Sequence, residues 1–159
     1  MQVRGAVHSD LKQVLGLYQQ LNPSDVLVSH EEKIEQTWNE ILNAPYIRFY
    51  VLEKDLRILS TCVMSIIPNL SRGCAPYGLV ENVVTDKNFR RQGLATQLLK
   101  FALSEAWRSG CYKVMLLTGS KRPETLKFYD KVGFKAGQKT GLVAKPPADS
   151  RQQGSLPSN

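Results

Sequence analysis

The stretch from Leu79 to Leu103 admits few architectures. It begins with a Val-rich run, Leu79 to Thr85, bounded by Gly78 and Asp86, with the length and composition of a buried strand. A short polar turn follows, and then Leu94, Leu98, Leu99, Ala102 and Leu103 recur at the spacing of an amphipathic helix. A strand that turns through a glycine into a helix leaves unpaired N–H groups and the positive end of the helix dipole facing outward. Such a turn accepts an anion, for example a pyrophosphate. Gly93 lets the backbone come close, and Ala95 keeps the next turn slim. Many parallel-sheet proteins turn this way and bind nothing, so the turn alone leaves function open.

The flanking sequence supplies the rest of an α/β domain. Ser9-Asp10 suits the cap of a first helix over Leu11–Leu21, with Leu11, Val14, Leu15 and Tyr18 on one face, and Asn22-Pro23 stops it. Ser29 to Glu32 fits a capping box, and Ile34, Trp38, Ile41 and Leu42 continue as a second helix. Ile47–Leu52 and Ile58–Ile67 read as a hairpin, and Pro68–Pro76 as a loop. After the central helix, Ser109-Gly110 marks a stop and Tyr112–Thr118 a buried strand, so that strand, helix and strand form a right-handed parallel crossover. Pro123 suits the first turn of a last helix reaching Val132, with Gly133 just beyond its end. One or two short strands are expected between Phe134 and Lys145. Residues 146–159, rich in Pro, Ser and Gly, read as a flexible tail to a single domain over 1–145.

Charge is placed unevenly. Residues 1–85 carry 7 Lys and Arg against 9 Asp and Glu, whereas residues 86–145 carry 13 against 4, within a net charge of +7. A basic half suits nucleic acid or a polyanionic small molecule, or is simply a solvated face. The sequence has neither an RNA-binding aromatic signature nor helix-turn-helix spacing, so no nucleic-acid partner is expected. No apolar run approaches the ~20 residues of a membrane span. The N-terminus lacks a signal core, and a cytoplasmic protein is the expectation. Cys62, Cys74 and Cys111 are an odd count without metal spacing and read as reduced thiols. His8 and His30 are isolated, which gives no metal cluster.

Arg90-x-x-Gly93-x-Ala95 after a strand resembles the acyl-CoA signature of the GNAT superfamily of N-acetyltransferases, Q/R-x-x-G-x-G/A. Leu126 to Phe134, with Phe128-Tyr129 and a closing Gly133-Phe134, resembles that family's second block. The resemblance covers roughly residues 45–140. It implies a single-domain α/β fold: a mixed, mostly antiparallel sheet splayed at the centre, with helices on both faces and acetyl-CoA, the co-substrate, entering the splay. It further implies that pantetheine lies along Val83, Val84 and Thr85, and that the pyrophosphate sits over the amides of Arg91, Gln92, Gly93, Leu94, Ala95 and Thr96. Arg90 and Arg91 either add charge there or face solvent. Where many family members have an asparagine, seven residues before the tyrosine, this chain has Arg122, so Lys121 or Arg122 is a candidate for a CoA phosphate. Gly110–Val114 resembles glucosamine-phosphate acetyltransferases, though only locally.

The reaction so implied is direct acetyl transfer to a primary amine. An amine with a lysine-like pKa costs about 4–5 kcal/mol to hold neutral at pH 7. Glu81, the one acid in an apolar strand, is the candidate general base; otherwise it points to water or pairs with an arginine. Tyr129 matches the family tyrosine that protonates the departing thiolate, and otherwise it is a core residue. Nothing places a histidine beside Cys111, so no covalent cysteine intermediate is expected. Tyr18 and Trp38 face either the acceptor or the core, and Arg72 either an acidic group on the acceptor or solvent. The expected acceptor is a small-molecule amine, such as an amino sugar, amino acid or polyamine, taken by a monomer or a homodimer. A protein amine, or a non-catalytic acyl-CoA-binding regulatory role, are the alternatives.

Overall fold

Gln2–Gly5 (β1) opens the sheet, and Leu11–Leu21 (α1) and Glu31–Asn43 (α2) follow. Three long strands come next, Ile47–Lys54 (β2), Arg57–Ile67 (β3) and Tyr77–Thr85 (β4). Leu94–Arg108 (α3) crosses to Val114–Leu116 (β5), and Pro123–Val132 (α4) is the last regular element. This computed structural model describes residues 1–23 and 30–147. The five strands lie in the order β1-β2-β3-β4-β5, antiparallel throughout except for β4 with β5. The sheet is therefore mixed and mostly antiparallel, as the family resemblance implied.

Alternation along the strands divides the core in two. Tyr50, Leu52, Cys62, Met64 and Val80 pack with Leu98, Leu99 and Ala102 of α3. Phe49, Val51 and Ile58 face the other way, against Val14 and Leu17 of α1 and Trp38 of α2. Each fully buried leucine in such a layer contributes roughly 1.5–3 kcal/mol, so helices held on both faces make the sheet a rigid support. The one parallel pairing is short, Gly78–Val80 against Val114–Leu116. It is also tight, because a Cβ at Gly78 would lie 3.1 Å from Val114 Cγ2. Beyond Val80 the two strands part.

Two expectations change. The strand expected over Tyr112–Thr118 shrinks to Val114–Leu116. No strand forms between Phe134 and Lys145: Gly137 takes φ +78°, and Leu142 and Val143 are exposed, so no burial rewards pairing there. Ser29 and residues 148–159 lie outside the described residues, and α2 starts after His30 without a side-chain cap. Both histidines are exposed beside helix starts. Among the described residues, no helix is long and apolar enough to cross a membrane.

Asp10 does something other than cap α1. Its carboxylate is 4% exposed and takes Arg4 Nη1 at 2.7 Å, Arg4 Nη2 at 3.0 Å and the Val7 N–H at 2.8 Å. Arg4 Nε also donates to Glu53 of β2 at 2.7 Å, so one guanidinium ties β1, β2 and the entry to α1 together. Burial pushes the Asp10 carboxyl upward, but Arg4 and the Val7 amide outweigh it and hold the group below its ordinary value.

Such a depressed acid stabilises the fold above its unfolded pKa, and the contribution is lost as pH falls through its folded pKa. Arg4→Met strands the carboxylate and should cost about 3 kcal/mol at neutral pH, the scale for breaking a buried pair. The stranded carboxyl becomes easier to protonate, so the gap between variant and wild type should narrow toward about pH 4, measured as urea midpoints. A gap constant with pH would show that Arg4 contributes only packing.

Candidate active site

The centre of the site is a bulge in β4. Val80 and Val83 both pack on the α3 side, whereas Val84 packs on the α1 side. An unbroken strand would separate same-side residues by two, not three, so one extra residue is inserted. The register with β3 slips between Thr61 and Val63, and Asn82 takes φ +52°, the left-handed region that asparagine enters more readily than most residues but that a regular strand does not use. As a result Glu81 and Asn82 are exposed between buried Val80 and Val84. Because β5 ends opposite Val80, no described strand pairs with the outer edge of β4 from Glu81 to Thr85. Buried Ser60 fixes the end of that edge, its Oγ 2.8 Å from both Val84 O and Thr85 Oγ1.

The turn follows directly. Asp86 Oδ1 accepts from the Asn88 N–H at 2.9 Å and starts a single 3-10 turn, Lys87–Phe89. Arg90 Nε then donates to Thr85 O at 3.1 Å and closes the turn onto the strand. Arg91 and Gly93 both have positive φ, and Gly93 at +80° brings the chain into α3. Leu94, 5% exposed, pins the start of the helix into the core. No side chain caps α3, no acid lies in its first turn, and a Cβ at Gly93 would meet nothing within 4 Å. Arg90, Arg91 and Gln92 are exposed, while Ala95 and Thr96 are half-buried. This is an open, positively polarised helix end with free amides.

Tyr129 stands on α4, half-buried, with its ring 4.9 Å from that of Phe128 and 6.1 Å from that of Phe134. Burial raises the pKa of its phenol, and the charge of Glu81 raises it further. Base and acid candidates from separate elements therefore share one electrostatic neighbourhood. Among the described residues, no hydrogen bond or ion pair holds Glu81, so it is not the partner of an arginine.

Other sequence candidates fall elsewhere. Trp38 is a core residue, stacked edge-on to Phe49 at 4.9 Å with Nε1 donating to His8 O. The Tyr18 ring also packs near Phe49. Arg72 is exposed in its loop. Lys121 and Arg122 are exposed at the start of α4. Burial pushes the Cys62 thiol up to about 12 and raises that of Cys111, which keeps both as unreactive thiols; Cys74 is exposed. Sequence reasoning missed the bulge and Asn82. The available signal was two consecutive polar residues, Glu81 and Asn82, interrupting an apolar strand.

The family model described as Acetyltransferase (GNAT) family matches residues 12–134. A glucosamine 6-phosphate N-acetyltransferase of Trypanosoma brucei brucei is 35% identical over 52% of this chain and 54% of its own length. Glucosamine 6-phosphate N-acetyltransferase 1 of Oryza sativa subsp. japonica is 30% identical over 76% of this chain and 72% of its own. The chain thus spans only about half of the first of these relatives. The solved structure of an Agrobacterium tumefaciens protein described as an acetyltransferase superposes with a TM-score of 0.87 at 35% identity, covering 92% of this chain and all of that one.

Because the charge of Glu81 raises the pKa of the Tyr129 phenol, Glu81→Gln should lower it. Ultraviolet phenolate titration, read as the difference from the matching Tyr129→Phe protein, measures this. An unmoved titration would place the carboxylate too far away to act with the phenol.

Proposed function

The chain belongs to the GNAT family of acetyltransferases, and on that premise we propose that it transfers the acetyl group of acetyl-CoA to a primary amine of a small-molecule acceptor. The observation that carries this reading is the unpaired edge of β4 running directly into the uncapped start of α3, with Glu81 on that strand close enough to raise the pKa of the Tyr129 phenol. The amides of Gly93, Leu94, Ala95 and Thr96, with Arg91 and Gln92, would take the pyrophosphate, and Lys121 and Arg122 suit a further CoA phosphate. Arg90 closes the turn through Thr85 and so shapes this site as well as adding charge. The free edge at Val83, Val84 and Thr85 would pair with pantetheine as a strand would, leaving a backbone amide to polarise the thioester carbonyl.

Glu81 takes a proton from the acceptor ammonium, and the neutral nitrogen attacks the carbonyl carbon. As the carbon–sulfur bond breaks, Tyr129 gives its proton to the thiolate. The second nitrogen proton, lost as the amide forms, returns through solvent to the phenolate. The two groups are coupled. Once Glu81 is protonated its charge no longer holds the Tyr129 proton, so the phenol becomes a better acid as the thiolate departs.

The trypanosome and rice relatives make amino-sugar phosphates the first acceptor class to examine. Free cysteines at 62, 74 and 111 fit a reducing, cytoplasmic setting.

Release of free CoA, followed with glucosamine 6-phosphate, aminoglycosides and polyamines, tests the proposal. Tyr129→Phe keeps the ring and should lower turnover roughly 10²-fold, with acetyl-CoA affinity within a few-fold of wild type. Glu81→Gln should lose rate mainly at low pH and recover in part as the amine deprotonates unaided. Wild-type turnover in the Phe variant would return Tyr129 to the core.

A further inference from the structure

Tyr18 carries a polar atom that the proposed mechanism leaves unused. Its hydroxyl, at the end of a ring packed in the α1 layer, is closed off from solvent and has no hydrogen-bond partner among the described residues. A buried hydroxyl left unbonded costs about 1–3 kcal/mol, and phenylalanine would fill the same space without that cost. The Asn82 side chain is the polar group that acts on this phenol, opposing the upward push of burial on its pKa. Asn82 is the bulge residue, held at φ +52°, exposed, and next in sequence to Glu81. A hydroxyl without a partner and a left-handed backbone position thus belong to two interacting residues, one of them adjacent in sequence to Glu81.

We propose that Tyr18 is a positioning residue for the acceptor, acting through Asn82; the inference rests on the acetyltransferase reading above. In the acceptor complex the Tyr18 hydroxyl donates to Asn82 Oδ1. That bond turns the Asn82 amide NH₂ outward, where it donates to an oxygen beside the reacting amine. The acceptor class so selected is an amine with a neighbouring hydroxyl or ring oxygen, as in an amino sugar, rather than a plain alkylamine. Glu81 supplies the charge that takes the proton, and Asn82 reads the neighbouring oxygen. A site built to bond an oxygen discriminates against acceptors that lack one, because its own donor is then left unpaired.

Steady-state kinetics with glucosamine 6-phosphate and with putrescine, on Tyr18→Phe, Asn82→Ala and the double variant, test this. Tyr18→Phe should melt at or above the wild-type temperature, since it deletes an unsatisfied hydroxyl. Its KM for glucosamine 6-phosphate should rise about 5–10-fold with kcat within about twofold, the scale of one hydrogen bond made equally in ground and transition states. Its KM for putrescine should stay unchanged. The double variant should be no weaker than Asn82→Ala alone, since the tyrosine acts only through the asparagine. A wild-type KM in Tyr18→Phe, equal losses on both amines, or fully additive effects would each overturn the inference while leaving acetyl transfer intact. A wild-type protein that acetylates neither these amines nor the aminoglycosides would overturn the acetyltransferase reading, and this inference with it.

Discussion

Everything at the site depends on the parting of β4 from β5. The two strands pair in parallel for three positions, with Gly78 leaving room for Val114, and then separate because β5 ends and β4 bulges. An unpaired strand edge in a sheet is ordinarily an exposure to be covered. Here it is left as a short length of hydrogen-bonding backbone that leads directly into a free helix end. The bulge also reverses the alternation, which is why two polar residues reach the opening while the valines on either side stay in the core.

The surrounding packing makes this opening tolerable. A left-handed asparagine, a left-handed arginine and an unbonded tyrosine hydroxyl each cost free energy that a loosely held strand would recover by relaxing. They persist because β4 is clamped from both faces, by α3 through Leu98 and Leu99 and by α1 through Val14 and Leu17. The Arg4 network serves the same end from further away. It joins β1, β2 and the beginning of α1, the helix that carries Tyr18.

Much of this could be read from the sequence, for reasons that are local. Periodicity marked α1, α2 and α3 because each helix buries a single stripe, and Pro123 and Gly133 marked the two ends of α4. The β4–turn–α3 unit was legible because strand period, glycine and helix period follow one another without a gap. The Asp10 network was not legible, because it joins residues up to 49 positions apart, and a serine-aspartate pair before a helix ordinarily caps it. The expected last strands failed for a related reason: Leu142 and Val143 look like strand residues, yet the described fold offers them no layer to pack against. Glu81 stood out as the one acid in an apolar strand and Tyr129 through the family resemblance, but the effect of the Glu81 charge on the Tyr129 phenol required the fold. The bulge was hinted at by adjacent polar residues, and its direction came only from the side-chain alternation of the folded strand.

The central claim is that the turn from Thr85 to Thr96 holds the phosphates of an acyl-CoA. Thermal unfolding with and without acetyl-CoA, on wild type and Gly93→Asp, tests it most directly. Aspartate is among the residues that tolerate the left-handed conformation, and a Cβ at Gly93 meets no atom of the protein, so the variant should fold. At about a hundred times its dissociation constant, acetyl-CoA should stabilise the wild type by about 2.7 kcal/mol, or roughly 5–10 °C in Tm. In Gly93→Asp, which sets a carboxylate against the pyrophosphate, the shift should vanish. A folded Gly93→Asp protein stabilised as much as wild type would place the phosphate site elsewhere and contradict the account.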